Sequence, residues 1–340
     1  MGKLNGIIRD LSAYIMLNSC AYNSSGFYNG RSGSSLALFE ASSILDDRFL
    51  ESEAHEFLEE SLLCKTEDIS FRNGLSGIGF VLAYLIANGF VHADFDEIYG
   101  EQLDRIREQL ESDLQNEDIY PFSHLEVCYF FSLLIHRFEK EELTNLRNRM
   151  LERADLQMQK KLQAHNTMVI NTSRTTLTDC FKIYLSVRND ASIVPPADVL
   201  SQYASLYQKG ILVNDYTIGY YFSKIEPPPE SGWNEIVIQN HHPFLLNSPF
   251  YVTPLNETIN TLSLLLDDAE YSKNCCSWVD KTYLSLTSEA LETELLSHIP
   301  LNTPLSEYAG GVSRFILFLC KVVYFREGIP ANRFKSLFKP

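Results

Sequence analysis

Phe27-Tyr-Asn-Gly-Arg-Ser-Gly-Ser-Ser-Leu-Ala-Leu-Phe39 recurs as Phe71-Arg-Asn-Gly-Leu-Ser-Gly-Ile-Gly-Phe-Val-Leu-Ala83. Both copies hold Phe-x-Asn-Gly-x-Ser-Gly ahead of an apolar run, and Gly30 and Gly74 stand at matching places. Glycines clustered before an apolar run mark a turn followed by a helix that packs closely. Between the copies, Asp46 to Cys64 carries Phe49, Ala54, Phe57, Leu58 and Leu62 at roughly helical spacing, with glutamates elsewhere. That pattern predicts an amphipathic helix with one solvated face. The unit is a glycine turn, an apolar helix and a charged helix.

The unit continues with fading glycines. Tyr120 to Leu134 keeps the turn and the apolar run, with Ser123 and Glu126 where glycine would stand. Asn171-Thr-Ser-Arg174 leads into Leu177 to Val187, and Asn214 to Phe222 retains Gly219. Pro254 to Asn260 leads into Leu262 to Leu266, and Tyr308 to Leu319 restores Gly310 and Gly311. The seven starts fall near 30, 74, 123, 174, 216, 256 and 308. Steps of about 40 to 52 residues hold two helices of roughly 12 to 18 residues with their loops. Glu97 to Gln115 and Lys140 to Ala164 are polar enough to be outer helices, and only Glu235-Ile-Val-Ile238 alternates like a strand. The fold class expected is all-α, in one domain over residues 1–340. The tri-proline stretch Ile225 to Glu230 is read as a surface loop, because repeats continue on both sides of it.

Composition narrows the function. Twenty-eight Lys and Arg against 44 Asp and Glu leave a net charge of −16, with no basic block. Nucleic acid and anionic membranes are poor partners for such a surface. The most apolar stretch, Ile78 to Ala87, is about half the ~20 residues of a membrane helix, so no membrane insertion is expected. Charge interrupts any apolar core of a leader near the first residues, and Gly6 stands where a myristoylation signal needs Ser or Thr. Seven cysteines, an odd number without Cys-x-x-Cys spacing, suit a reducing compartment. The expected location is the cytoplasm.

Phe71 to Val91, with Gly74-Leu-Ser-Gly-Ile-Gly79, resembles the lanthionine synthetase C-like (LanC-like) family. The match is sharp over residues 26–110 and rests on the period beyond. The resemblance implies an α/α toroid of about seven inner and seven outer helices. Gly30, Gly33, Gly74, Gly77, Gly79, Gly310 and Gly311 would then be structural turn residues. It also implies peptide maturation. Catalytic members hold zinc with two cysteines and a histidine, taken from Trp-Cys-Tyr-Gly-type and Cys-His-Gly-type turns. The metal turns a substrate cysteine into the thiolate that adds to a dehydrated Ser or Thr. The matching turns here read Val213-Asn-Asp-Tyr-Thr-Ile-Gly219 and Pro254-Leu-Asn-Glu-Thr-Ile259, without Cys or His. No zinc and no other cofactor is expected.

Displaced ligands would have to come from Cys275-Cys276 or His241-His242. Side chains of adjacent cysteines diverge, which suits tetrahedral zinc poorly. In the family the turns face a central cavity, where Arg31, Arg72, His124, Arg174 and Asp215 would form a peptide-binding mouth. Read alone, each is a solvated loop residue or a helix cap. Asp94-Phe-Asp-Glu97 is read as a cap for the helix that follows.

The leading expectation is a non-catalytic recognition or scaffold component of lanthipeptide-type maturation, whose partner is a peptide substrate or a maturation enzyme. One alternative is an active thioether cyclase with displaced zinc ligands. Another is a carbohydrate-active α/α toroid built on carboxylates such as Glu126, Asp215 and Glu257. Two tryptophans in the whole chain are few for a sugar-binding cleft.

Overall fold

The computed structural model describes residues 2–18, 24–115, 122–167, 174–212, 214–225, 233–241, 255–284, 293, 308, 311–329, 333–334 and 337–338. Every regular element among them is helical. Seven helices begin at or within a few residues of the seven turns: α2 (Arg31–Leu45), α4 (Leu75–Ala87), α6 (Val127–Phe138), α8 (Arg174–Asp190), α10 (Tyr216–Phe222), α12 (Leu255–Asp267) and α14 (Val312–Arg326). A 3-10 turn, Phe122–Glu126, leads into α6. Six more alternate with them: α3 (Arg48–Leu62), α5 (Phe95–Gln115), α7 (Leu143–Thr167), α9 (Ala197–Gln208), α11 (Trp233–Asn240) and α13 (Ser272–Thr282).

One helix adds to the expected pattern. α1 (Gly2–Leu17) buries Leu4, Ile7, Ile8, Leu11 and Ile15, spaced by three and four as one helical face requires. It packs against α2 and α14. Two local expectations are corrected. Glu235 to Ile238 belongs to α11, where Trp233, Ile236 and Asn240 are buried and Ile238 is exposed, a helical rather than an alternating pattern. Phe49 is exposed, while Leu50, Ala54, Phe57 and Leu58 form the buried face of α3.

The described chain divides into two compact units. The first joins Met1–Ile106 with Leu245–Phe338, and the second holds Arg107–Phe244 and Lys339–Pro340. In the first unit α2 packs against α1, α3, α4 and α14, and α14 also meets α12. In the second, α6 and α8 pack on α7, α7 on α9, and α10 on α8 and α11. The tri-proline residues and Gly310 lie outside the described residues.

Three repeats of the first unit share one register, although Arg314 stands in the last where Gly33 and Gly77 stand in the first two. Gly30, Gly74 and Gly311 are the extended N-caps of α2, α4 and α14. Three residues before each stand Phe27, Phe71 and Tyr308, all buried. Two residues after stand Ser32, Ser76 and Ser313, all fully buried. The Phe27 ring lies 4.1 Å from that of Tyr308 and 5.6 Å from that of Phe71, within the range of aromatic contact or just inside it.

Gly33 and Gly77 make this stacking possible. A Cβ on Gly77 would lie 2.0 Å from the Phe71 carbonyl oxygen and 2.8 Å from the Phe27 Cβ. A Cβ on Gly33 would lie 2.1 Å from the Phe27 oxygen and 2.7 Å from the Tyr308 Cβ. α2 and α4 thus each rest on the carbonyl of their own turn and against the aromatic residue of the neighbouring repeat. The last repeat meets the first in the register in which the first meets the second. Neither glycine has a left-handed backbone, so the requirement is space rather than a sharp turn.

Gly77→Ala therefore forces backbone against backbone and should lower stability by about 2 kcal/mol or more. Gly100→Ala, in α5 with nothing within 4 Å of the new Cβ, should raise it by about 0.5–1 kcal/mol. Denaturant melts of the two variants beside the parent chain check the contrast.

Candidate functional site

The expected mouth residues have acquired separate partners. Arg31 opens α2 and its Nε pairs with Glu60 Oε2 of α3 at 2.6 Å. Arg72 is exposed, with its guanidinium 5.1 Å from the centre of the Tyr28 ring. Its carbonyl accepts the Tyr28 N–H at 2.7 Å. His124 Nδ1 lies 3.5 Å from Asp113 Oδ2. Asp215 caps α10, accepting from the N–H groups of Thr217 and Ile218 at 2.9 and 3.3 Å. Its other oxygen pairs with Lys182 Nζ at 2.7 Å. The α8 backbone begins at Arg174, whose side chain lies outside the described residues, as do those of Asn256 and Glu257. Asp94 is a cap as its sequence context predicts, accepting from the N–H groups of Asp96 and Glu97.

The sulfur and imidazole groups give little support for a displaced zinc site. Cys275 is buried in α13, donates to the Leu262 carbonyl at 3.4 Å, and has its thiol pushed far up by burial. Cys276 is half-buried and its thiol is also raised, chiefly by desolvation. Burial pushes the Cys128 thiol up to about 12. His241 stacks on Tyr216 at 5.3 Å, and His242 lies outside the described residues. Among the described residues no three His, Cys, Asp or Glu side chains converge as metal ligands. Asp215, held by two amides and a lysine, does not fit the role of a free ligand. The residues do not match the family's zinc site.

The densest polar chemistry of the first unit lies deeper. Glu40 is fully buried in α2. Its Oε1 accepts the Tyr84 hydroxyl of α4 at 2.6 Å, and its Oε2 accepts Arg333 Nη2 at 2.5 Å. Arg333 also donates to the Tyr324 hydroxyl of α14 and lies 4.3 Å over that ring. Burial raises the Glu40 carboxyl from 4.5 to about 7, against the lowering effects of Arg333 and the Tyr84 hydrogen bond. Glu40, Tyr84 and Lys321 occupy the same place in their repeats, ten residues after Gly30, Gly74 and Gly311.

Lys321 continues the seam on the other side of α14. It is 1% exposed, and its Nζ donates to the Ser263 carbonyl, the Ser263 hydroxyl and Asp267 at 2.9, 2.7 and 2.9 Å. Seven residues earlier, Arg314 donates to Asn260 and lies over the Tyr308 ring. Asn260, Ser263 and Asp267 share one face of α12 at spacings of three and four, so α12 and α14 meet through paired polar groups.

The second unit has a comparable centre with a cleft beside it. Arg188 pairs with Asp155, which also accepts the Tyr184 hydroxyl at 2.7 Å. The cleft beside it, about 280 Å³, is lined by Leu185, Arg188, Asn189, Val194, Tyr221 and Lys224 among others. Its volume sits near the lower end for small-ligand pockets and suits one side chain better than a cofactor.

Sequence reasoning did not single out Glu40, Lys321 or Arg333. The signal for the first two was a charge inside an apolar run, in Leu36 to Ala41 and Phe315 to Val323. Asp267→Ala would strand the Lys321 ammonium and should cost about 3–5 kcal/mol. Asp280→Ala breaks the exposed Arg326 pair and should cost less than about 1 kcal/mol. Chemical denaturation distinguishes them.

The Glu40 shift also predicts the sign of a pH effect. The folded chain binds this proton more tightly than the unfolded chain does. The contribution to stability is therefore greatest below about 4.5 and is lost as pH rises to about 7, a change of about 3 kcal/mol. Urea titrations from pH 5 to 8 should show that decline, and Glu40→Gln should flatten it.

A scan against protein-family models and a search of curated proteins both find no match to this chain.

Proposed function

We propose that the chain is a divergent LanC-like protein of peptide natural-product maturation, acting as a recognition or scaffold component rather than as a zinc cyclase. The observation that carries the reading is the repeat register of the first unit. A closed ring of paired helices needs its last pair to meet its first as neighbours meet elsewhere, and the Tyr308, Phe27 and Phe71 series has that relation. Helix starts at all seven turns are consistent with the same architecture. The turn residues that would bind zinc in the resembling family lack Cys and His, and Asp215 is committed to a cap and to Lys182.

A recognition role rests on residues that still face solvent. Arg72, in the turn ahead of α4, is exposed. Its guanidinium, held over Tyr28, presents donors for a peptide carbonyl or carboxylate.

Purified protein should carry well under one zinc per chain by plasma emission and should leave a dehydrated, Cys-containing peptide uncyclised by mass spectrometry. The same peptide, fluorescently labelled, should bind, and Arg72→Ala should weaken binding threefold to tenfold, about 0.7–1.4 kcal/mol. One zinc per chain, lost in Cys276→Ala, would restore the cyclase reading.

A further inference from the structure

Four residues beyond α14 reach back across the first unit. Arg333 binds Glu40 of α2 and Tyr324 of α14, and its guanidinium also lies 5.3 Å over Phe90, just beyond α4. Phe334 is fully buried and stands 5.5 Å from Tyr324. Leu337 is fully buried, and its carbonyl accepts the Tyr308 hydroxyl. Phe338 is buried, with the Lys321 ammonium 5.4 Å from its ring. This short stretch therefore touches residues from the first, second and last repeats. Its fastening differs along its length. Phe334, Leu337 and Phe338 are held by burial, the Tyr308 hydrogen bond and the Lys321 contact, none of which involves a carboxylate, whereas Arg333 is held by a buried carboxylate and a phenol.

We propose that residues 333–334 and 337–338 act as a strap fastening the last repeat of this unit to the first two, and that the Arg333–Glu40 contact is a proton-operated catch that loosens when Glu40 becomes neutral. An ionised Glu40, itself fully buried, offers Arg333 a charge-assisted hydrogen bond. A neutral carboxyl keeps the Tyr84 contact and loses the attraction to the guanidinium. Burial places that change near neutral pH, so the catch works across a physiological range. With Glu40 kept buried among α2, α4 and α14 when the strap leaves, linkage gives the direction: the released state holds the Glu40 proton more tightly than the fastened state, because Arg333 favours the anion. Strap docking therefore strengthens as pH rises, opposite in sign to the folding stability contributed by the same carboxyl.

The groups around Glu40 are few. Tyr84 faces it from α4, Cys320 and Tyr324 from α14, and Arg333 from the strap. The charged residues of α1, Lys3, Arg9 and Asp10, are exposed. From α3, His55 stands edge-on to Phe39 with ring centres 4.8 Å apart, so its replacement serves as a control.

The test is hydrogen exchange by mass spectrometry on the full chain at pH 6 and pH 8, with rates corrected for intrinsic chemistry. Amides of residues 333, 334, 337 and 338 should exchange at least fivefold faster at pH 6, while α9 in the second unit stays unchanged. Glu40→Gln should exchange fast at both pH values and lose the slope. Tyr324→Phe should exchange faster at both and keep the slope, which covers the case in which Glu40→Gln folds poorly. His55→Phe should behave as the parent. Equal corrected rates at pH 6 and 8 in the parent chain, a slope retained in Glu40→Gln, or a slope abolished by His55→Phe would each overturn the proposal.

Discussion

The carbonyl oxygen of Phe71 occupies the space where a side chain would begin on residue 77, and that of Phe27 does the same at residue 33. Everything in the first unit is arranged around these two approaches. They set the distance between turn and helix, which in turn brings Tyr308, Phe27 and Phe71 into one run of rings. The same register aligns Glu40 with Tyr84 ten residues further on, because a shared offset at the turn is carried unchanged along rigid helices. A displacement of a few tenths of an ångström at the glycines would be felt in the hydrogen bond between those two side chains. Gly219 plays a related part in the second unit, where a Cβ would lie 2.5 Å from the backbone of Asn240 and His241.

Buried charge is the second organising feature. Lys321, Arg314, Glu40 and Arg188 all sit in the interior, and each has a partner of complementary chemistry. Apolar side chains of similar volume would often do as well for stability alone. Paired charges add direction. Arg314 on Asn260 and Lys321 on Asp267 admit one alignment of α12 against α14, which plain apolar faces would leave free to slide.

Most of the helical pattern was legible because it is periodic. Seven glycine or polar turns, each followed by an apolar run, sufficed to locate α2, α4, α6, α8, α10, α12 and α14. α1 was missed although Leu4, Ile7, Ile8, Leu11 and Ile15 spell an apolar face, since it belongs to no repeat. The site was far less legible. A turn arginine announces its charge but not its neighbour, and Arg31 turned to Glu60, a residue that sequence reading had assigned to a solvated face. Asp215 followed local chemistry, because an aspartate ahead of a short helix satisfies free amides whatever else is near. Glu40 and Arg333 are separated by 293 residues, and no local pattern links them.

The first unit is assembled from two stretches with residues 107–244 of the second unit between them in sequence. During synthesis, Ser34 must wait 279 residues for Ser313, its hydrogen-bond partner, while the second unit already has nearly all of its own chain. Long-separation contacts form slowly, and the intermediate left waiting exposes apolar surface. α2, most of whose residues are buried in the finished fold, spends that interval without α14 against it. The nascent first unit is therefore the part of this protein with most need of a chaperone.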